Sequence, residues 1–353
     1  MKIITIVGAR PQFVKASVIS KKIRSKHREI LIHTGQHYDN NMSEIFFCEM
    51  EIPRPDYNLH IGSGTHGKQT GEMLIQIEQI LLSEKPEGVI VYGDTNSTLA
   101  GALAASKLHI PIFHIEAGLR SFNMTMPEEQ NRRITDHISN LLFCPTNTAV
   151  CNLKNEGIVD GVFNVGDIML DAVLHFSILA EQKQYMLDNL AIFPQEYYLA
   201  TIHRAENTDT IDKLGEIVGA FLELDKPVIM PVHPRSRIMI ASIVNTMKVN
   251  NQVKFIEPVG YLEMLMLTNN ACKIITDSGG LQKEAFFLQV PCITIRKETE
   301  WIETLNGNCN VLCNVNKQDI VDAVFRTVIK KDAFSQMYFG DGKAAMKICD
   351  FIN

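Results

Sequence analysis

Residues 88–115 read GVIVYGDTNSTLAGALAASKLHIPIFHI. The apolar run Gly88–Tyr92 stops at Gly93-Asp94, the stretch Asn96–Leu108 is helix-patterned, and a second apolar run follows at Pro111–Ile115. Short apolar runs of this kind, bounded by turn residues and separated by helical stretches, predict parallel strands covered by helices on both faces. The same alternation extends outward. Strands are expected at Ile3–Val7, Glu29–His33, Leu141–Cys144 and Val162–Val165, with helices at Phe13–Arg24, Gln69–Leu82, Glu128–Ser139 and Asn147–Glu156. A second series has strands near Tyr197–Thr201, Pro227–Pro231, Val253–Ile256, Lys273–Thr276, Pro291–Thr294 and Asn310–Leu312.

The expectation is therefore an α/β protein of two Rossmann-like domains whose parallel sheets face across a cleft. Residues 1–167 form the first and 168–340 the second, with a last helix, 341–353, packing back onto the first. The length of 353 residues suits two cores better than one. Ligands of open α/β sheets bind beyond the carboxyl ends of the strands, so the cleft is the expected site.

Composition narrows the function. A net charge of -6 gives no general attraction to nucleic acid, and 46% hydrophobic with 21% charged residues is ordinary for a globular protein. No apolar run approaches the roughly 20 residues that span a bilayer, and Met1–Gly8 is too strand-like for a secretion signal, so a cytoplasmic protein without membrane insertion is expected. The eight cysteines are scattered without zinc-site spacing, and no metal is expected.

Chemistry concentrates where strands end. The first strand runs into Gly8-Ala9-Arg10-Pro11-Gln12-Phe13-Val14-Lys15, which places Arg10 and Lys15 on a strand-to-helix turn but lacks the G-x-G-x-x-G dinucleotide fingerprint. Asp94 follows the strand Val89–Tyr92 and, standing before Thr-Asn-Ser-Thr, reads first as an N-cap of the helix behind it. Glu116 follows Pro111–Ile115 and has Arg120 as a candidate ion-pair partner. Glu128 opens a helix after Pro127. Three strand ends thus bring Asp94, Glu116 and Glu128 to one sheet edge, as paired acid–base chemistry requires.

In the second half, His203 and Arg204 end a strand and suit a leaving diphosphate, and His233-Pro234-Arg235 reads either as a second cationic contribution or as a turn flanked by Pro. Thr276-Asp277-Ser278-Gly279-Gly280-Leu281-Gln282-Lys283-Glu284 reads as strand, Ser-Gly-Gly turn and helix. Ser278, Gly279 and Gly280 let backbone N–H groups approach phosphate oxygens, and Glu284, a turn further on, is placed for ribose hydroxyls.

Together GARPQFVK, YGDTNSTLA, HIEAGLR, MPEEQNR, His203-Arg204-x-Glu206 and TDSGGLQKEA resemble the non-hydrolysing UDP-N-acetylglucosamine 2-epimerases, which look like nucleotide-sugar glycosyltransferases of the GT-B type. The resemblance spans essentially the whole chain. It implies anti elimination of UDP to a 2-acetamidoglucal and re-addition with carbon 2 inverted, without a redox cofactor, by a homodimer that supplies surface polysaccharide synthesis. It also implies that Asp94, Glu116, Glu128, Lys15 and His203 are catalytic, that Arg10 and Ser278–Gly280 hold the diphosphate, and that Glu284 holds the ribose.

Gln36-His37 followed by Tyr38-Asp39, together with the basic Arg133, departs from the pattern that the family associates with a regulatory second UDP-N-acetylglucosamine. The stretches TGQHYDNNMSEIFF, SGTHGKQTGEML, RSFNMTMPEE and TEWIE resemble the branch acting on UDP-2,3-diacetamido-2,3-dideoxyglucuronic acid. A retaining glycosyltransferase of the same fold, a hydrolysing epimerase and a non-catalytic nucleotide-sugar sensor are the rival readings.

Overall fold

A computed structural model describes residues 1–36, 49–232, 236–247, 249–330 and 332–352. His233, Tyr38 and Asp39 lie outside the described residues. The chain divides into two compact units, Met1–Leu174 with Met337–Asn353, and His175–Gln336. Each is an α/β unit built on one parallel sheet.

The N-terminal unit has strands β1 (Lys2–Val7), β2 (Arg28–His33), β3 (Tyr57–Asn58), β4 (Gly88–Tyr92), β5 (Ile112–Ile115), β6 (Leu141–Cys144) and β7 (Val162–Asn164), in the order β3-β2-β1-β4-β5-β6-β7. β1, β2, β4, β5, β6 and β7 fall on the expected apolar runs, and all of these but β7 are mostly buried, as parallel strands covered on both faces are. The two-residue β3 was not among the expected strands; it is too short and too polar to show as an apolar run. Ile4, Ile6, Ile30, Ile32, Val89, Val91, Met73 and Ile77 pack into one core.

The last helix of the described chain, Ala344–Phe351, belongs to this unit. The Asp171 carboxylate accepts the N–H groups of Ala344 and Ala345 at 3.0 and 2.8 Å. Phe351 stacks on Phe163 with ring centroids 4.0 Å apart.

The C-terminal unit has β8 (Tyr198–Thr201), β9 (Val228–Pro231), β10 (Val253–Ile256), β11 (Lys273–Thr276), β12 (Cys292–Ile295) and β13 (Asn310–Cys313), in the order β10-β9-β8-β11-β12-β13. Its core joins Leu214, Ile217, Phe221, Val228, Met230 and Ile275.

The strand orders locate the sites. Progression along the sheet reverses between β1 and β4 in the first unit and between β8 and β11 in the second. At such a reversal the loops leave neighbouring strands in opposite directions and open a crevice at their carboxyl ends.

Candidate active site

At the first reversal, the turn after β1 lies beside the turn after β4. Gly8 is required there, because a Cβ would lie 2.2 Å from both Ser97 Oγ and Thr34 Oγ1. Gln12 joins the two turns. Its Oε1 accepts the N–H groups of Gly8 and Ala9 at 2.8 and 3.1 Å, and its Nε2 donates to the Tyr92 carbonyl at 2.7 Å. Gln12 stands within GARPQFVK without a sequence signal for this role, because Tyr92 is 80 residues away.

Helix Arg10–Lys26 carries Arg10 at its first residue and Lys15 on its second turn. Lys15 is buried and forms an ion pair with Glu116, which directly follows β5. Glu116 takes a left-handed backbone, φ +70°, and its N–H and that of Ala117 both donate to the Phe143 carbonyl at 3.1 Å. Strain at a buried charged residue is a feature of functional positions. Arg120 is not the partner of Glu116; its guanidinium takes Asp136 and Glu156, each at 2.7 Å.

Asp94 does not cap the helix behind it. Thr95 is the N-cap of Asn96–Lys107, and its Oγ1 accepts the Thr98 N–H at 3.3 Å. The Asp94 carboxylate instead pairs with Arg132 of helix Pro127–Ile138, and Arg132 Nη1 binds the buried Glu129 at 2.7 Å. Glu128 does not end a strand; it lies on the first turn of helix Pro127–Ile138, beyond the loop that leaves β5, and is exposed. The structure thus brings Lys15 and Glu116 into contact at the β5 end and places Asp94 at the end of adjacent β4, with Glu128 on solvent. A Cβ built on Gly93 would lie 3.2 Å from Glu116 Oε2 and 3.8 Å from Lys15 Nζ, so the pair lies against the turn that carries Asp94.

At the second reversal Asp277, fully buried after β11, organises the loop after β8. It accepts the N–H groups of His203 at 3.1 Å and Arg204 at 3.0 Å, and the amide of Asn207 at 2.9 Å. His203 Nδ1 lies 3.3 Å from the same carboxylate. That contact fixes the ring and leaves Nε2 as the nitrogen for a ligand. Arg204 Nη1 is 3.5 Å from Glu206.

Ser278 N-caps helix Gly279–Phe287, its Oγ accepting the Leu281 N–H at 3.4 Å. A Cβ on Gly279 would lie 2.5 Å from Glu300 Oε1, whereas one on Gly280 meets only Ser278 Oγ at 3.9 Å. The carboxylate of Glu300, paired with Arg296 at 3.1 Å, therefore lies over the start of this helix, where unpaired N–H groups favour negative charge. Glu300 stands within TEWIE, and Arg296 carries no sequence signal. Glu284 is buried, and burial pushes its carboxyl up to about 7 against the opposing effects of Lys283 and a hydrogen bond from Tyr261. Lys283 itself lies over the Trp301 ring, 3.7 Å from its centroid.

Two α/β units, each with one parallel sheet and charged side chains gathered at its strand-order reversal, are those of the GT-B-like class. The family model for UDP-N-acetylglucosamine 2-epimerase matches residues 21–353. The chain belongs to that family of isomerases. It is 56% identical to a UDP-N-acetylglucosamine 2-epimerase homolog of Methanococcus maripaludis, covering 100% of this chain and 99% of the relative. It is 50% identical to the UDP-2,3-diacetamido-2,3-dideoxy-D-glucuronate 2-epimerase of Pseudomonas aeruginosa, again covering 100% and 99%. The crystal structure of Methanocaldococcus jannaschii UDP-GlcNAc 2-epimerase in complex with UDP-GlcNAc and UDP superimposes with a TM-score of 0.91 at 46% identity, covering 100% of this chain and 99% of that one.

Proposed function

We propose that this enzyme inverts carbon 2 of a UDP-linked N-acetylated amino sugar, of the UDP-N-acetylglucosamine to UDP-N-acetylmannosamine type. The observation that carries the reading is the buried Lys15–Glu116 ion pair beside the Asp94 turn at a strand-order reversal. A carboxylate there takes the proton from carbon 2, the C–H electrons form a carbon 1–carbon 2 double bond, and UDP leaves with the glycosidic electrons. UDP then returns while a proton is delivered to the other face. Asp94, Glu116 and Glu128 share the proton transfers and the stabilisation of positive charge, with Lys15 and His203 completing the catalytic set.

Ser278, Gly279, Gly280, Arg10 and Arg204 hold the diphosphate, whose charge grows as UDP departs, so fixed donors there stabilise the transition state. Glu284 accepts the ribose hydroxyls. His233, outside the described residues, is assigned with the phosphate cations.

The second reading is the same chemistry on UDP-2,3-diacetamido-2,3-dideoxyglucuronic acid, favoured by the 50% identity to the Pseudomonas aeruginosa enzyme. A cytoplasmic homodimer that feeds surface polysaccharide synthesis completes the proposal, on the family resemblance. The test is side-by-side assay of the two UDP-sugars with product analysis. Interconversion of either supports epimerisation, release of free sugar indicates the hydrolysing reaction, and binding without turnover indicates a sensor.

A further inference from the structure

His114 lies on β5, two residues before Glu116, and is fully buried. Its Nδ1 is 2.8 Å from Asp136 Oδ1, and its Nε2 is 2.8 Å from the carbonyl oxygen of Gly93. Both partners accept. The Asp136 carboxylate also accepts from the Gly118 N–H at 3.2 Å and from Arg120 Nη1 at 2.7 Å. A carbonyl oxygen has only lone pairs to offer. The ring therefore bridges the two, with Nε2 donating to the Gly93 carbonyl.

We propose that His114 is a positioning residue for the epimerisation, a single imidazole ring that sets Asp94 against Glu116; this rests on the reading that those two carboxylates serve the sugar. Asp94 directly follows Gly93, whose N–H already donates to the Ile115 carbonyl at 2.9 Å. With its carbonyl bound by His114, the Gly93 residue is tied to β5 at both its N–H and its C=O. The turn carrying Asp94 then cannot shift relative to the strand carrying Glu116 without breaking a buried hydrogen bond. Asp136 anchors the far side of the ring from helix Pro127–Ile138, and Arg120, bound to Asp136 and Glu156, neutralises that anchor. The ring touches no reacting atom, and its influence passes through the Gly93 peptide.

Glutamine discriminates this role from simple space filling. Its Nε2 can still donate to Gly93, but its Oε1 then faces the Asp136 carboxylate, acceptor against acceptor. Asparagine at 136 restores complementarity by donating to that oxygen. The expected result for H114Q is a kcat reduced between roughly 10- and 100-fold, the effect of displacing reacting groups by a fraction of an ångström to an ångström. UDP affinity should stay within about twofold, and H114Q/D136N should regain part of the lost kcat.

Near-normal turnover of H114Q, or a loss confined to UDP affinity, overturns the proposal. Should H114Q fail to fold, nitrogen-15 NMR of the wild-type histidines decides it: a protected Nε2 proton on His114 supports the proposal and a bare Nε2 refutes it. Wild-type protein inactive on every UDP-sugar would sink the functional reading while leaving this network measurable by NMR.

Discussion

Glu116 combines a left-handed backbone with a carboxylate buried against Lys15, and both features carry a cost that only the surrounding contacts offset. The backbone conformation costs about 1–2 kcal/mol for a non-glycine residue. Neutralising one member of the ion pair strands the other. E116Q is therefore expected to lose about 3 kcal/mol of stability by urea unfolding, together with all turnover. K15M/E116Q should recover most of the stability and none of the activity; equal destabilisation of the single and double variants would contradict the pairing. G8A, which drives a methyl group into Ser97 and Thr34, should cost about 1–3 kcal/mol. Residue types at these positions were legible, since Asp94 and Glu116 follow strand ends and Lys15 stands on the helix that follows the first strand. Their partners were not: Lys15 and Glu116 are 101 residues apart, and the adjacent Arg120 was as good a candidate on sequence until the fold gave it Asp136 and Glu156.

Helix Gly279–Phe287 carries a pH-dependent prediction. Its Glu284 carboxyl lies near 7 when folded, against an ordinary value of 4.5, because burial disfavours the charge. The sign follows: the folded state is penalised for ionising Glu284, so its contribution is present below pH 4.5 and is lost as pH rises through about 7. E284Q should therefore stabilise the ligand-free protein at pH 8, leave it nearly unchanged at pH 4.5, and weaken UDP binding at both; urea midpoints and calorimetry at the two pH values check it. Stability gained equally at both pH values would contradict the assignment. At the other end of the chain, D171A removes the acceptor for two N–H groups at the start of Ala344–Phe351 and should cost about 1 kcal/mol, seen as faster amide exchange in that helix. Elements built from apolar runs were legible because burial on both faces leaves an uninterrupted signature, as in β4 and β5. β3 was not, because two residues, one half-buried and one exposed, carry no periodicity.

Across the whole chain the same construction appears twice, a parallel sheet whose strand order reverses beside a charged turn. The alternation that announces parallel sheets can be read from sequence, but strand order cannot, since it depends on which crossover each helix takes. Strand order is what puts Gly8 beside Ser97 and His203 beside Asp277. The loop anchor Asp277 and the clamp Gln12 were hidden for that reason, although both stand within the quoted stretches. The central claim, inversion at carbon 2 through loss and return of that proton, is tested most directly by incubating the protein in deuterium oxide with UDP-N-acetylglucosamine and, separately, with the diacetamido glucuronate. Deuterium at carbon 2 of both epimers, without any acceptor present, is the predicted result. Epimers formed with carbon 2 still carrying its original hydrogen, or no exchange with either sugar, would contradict it.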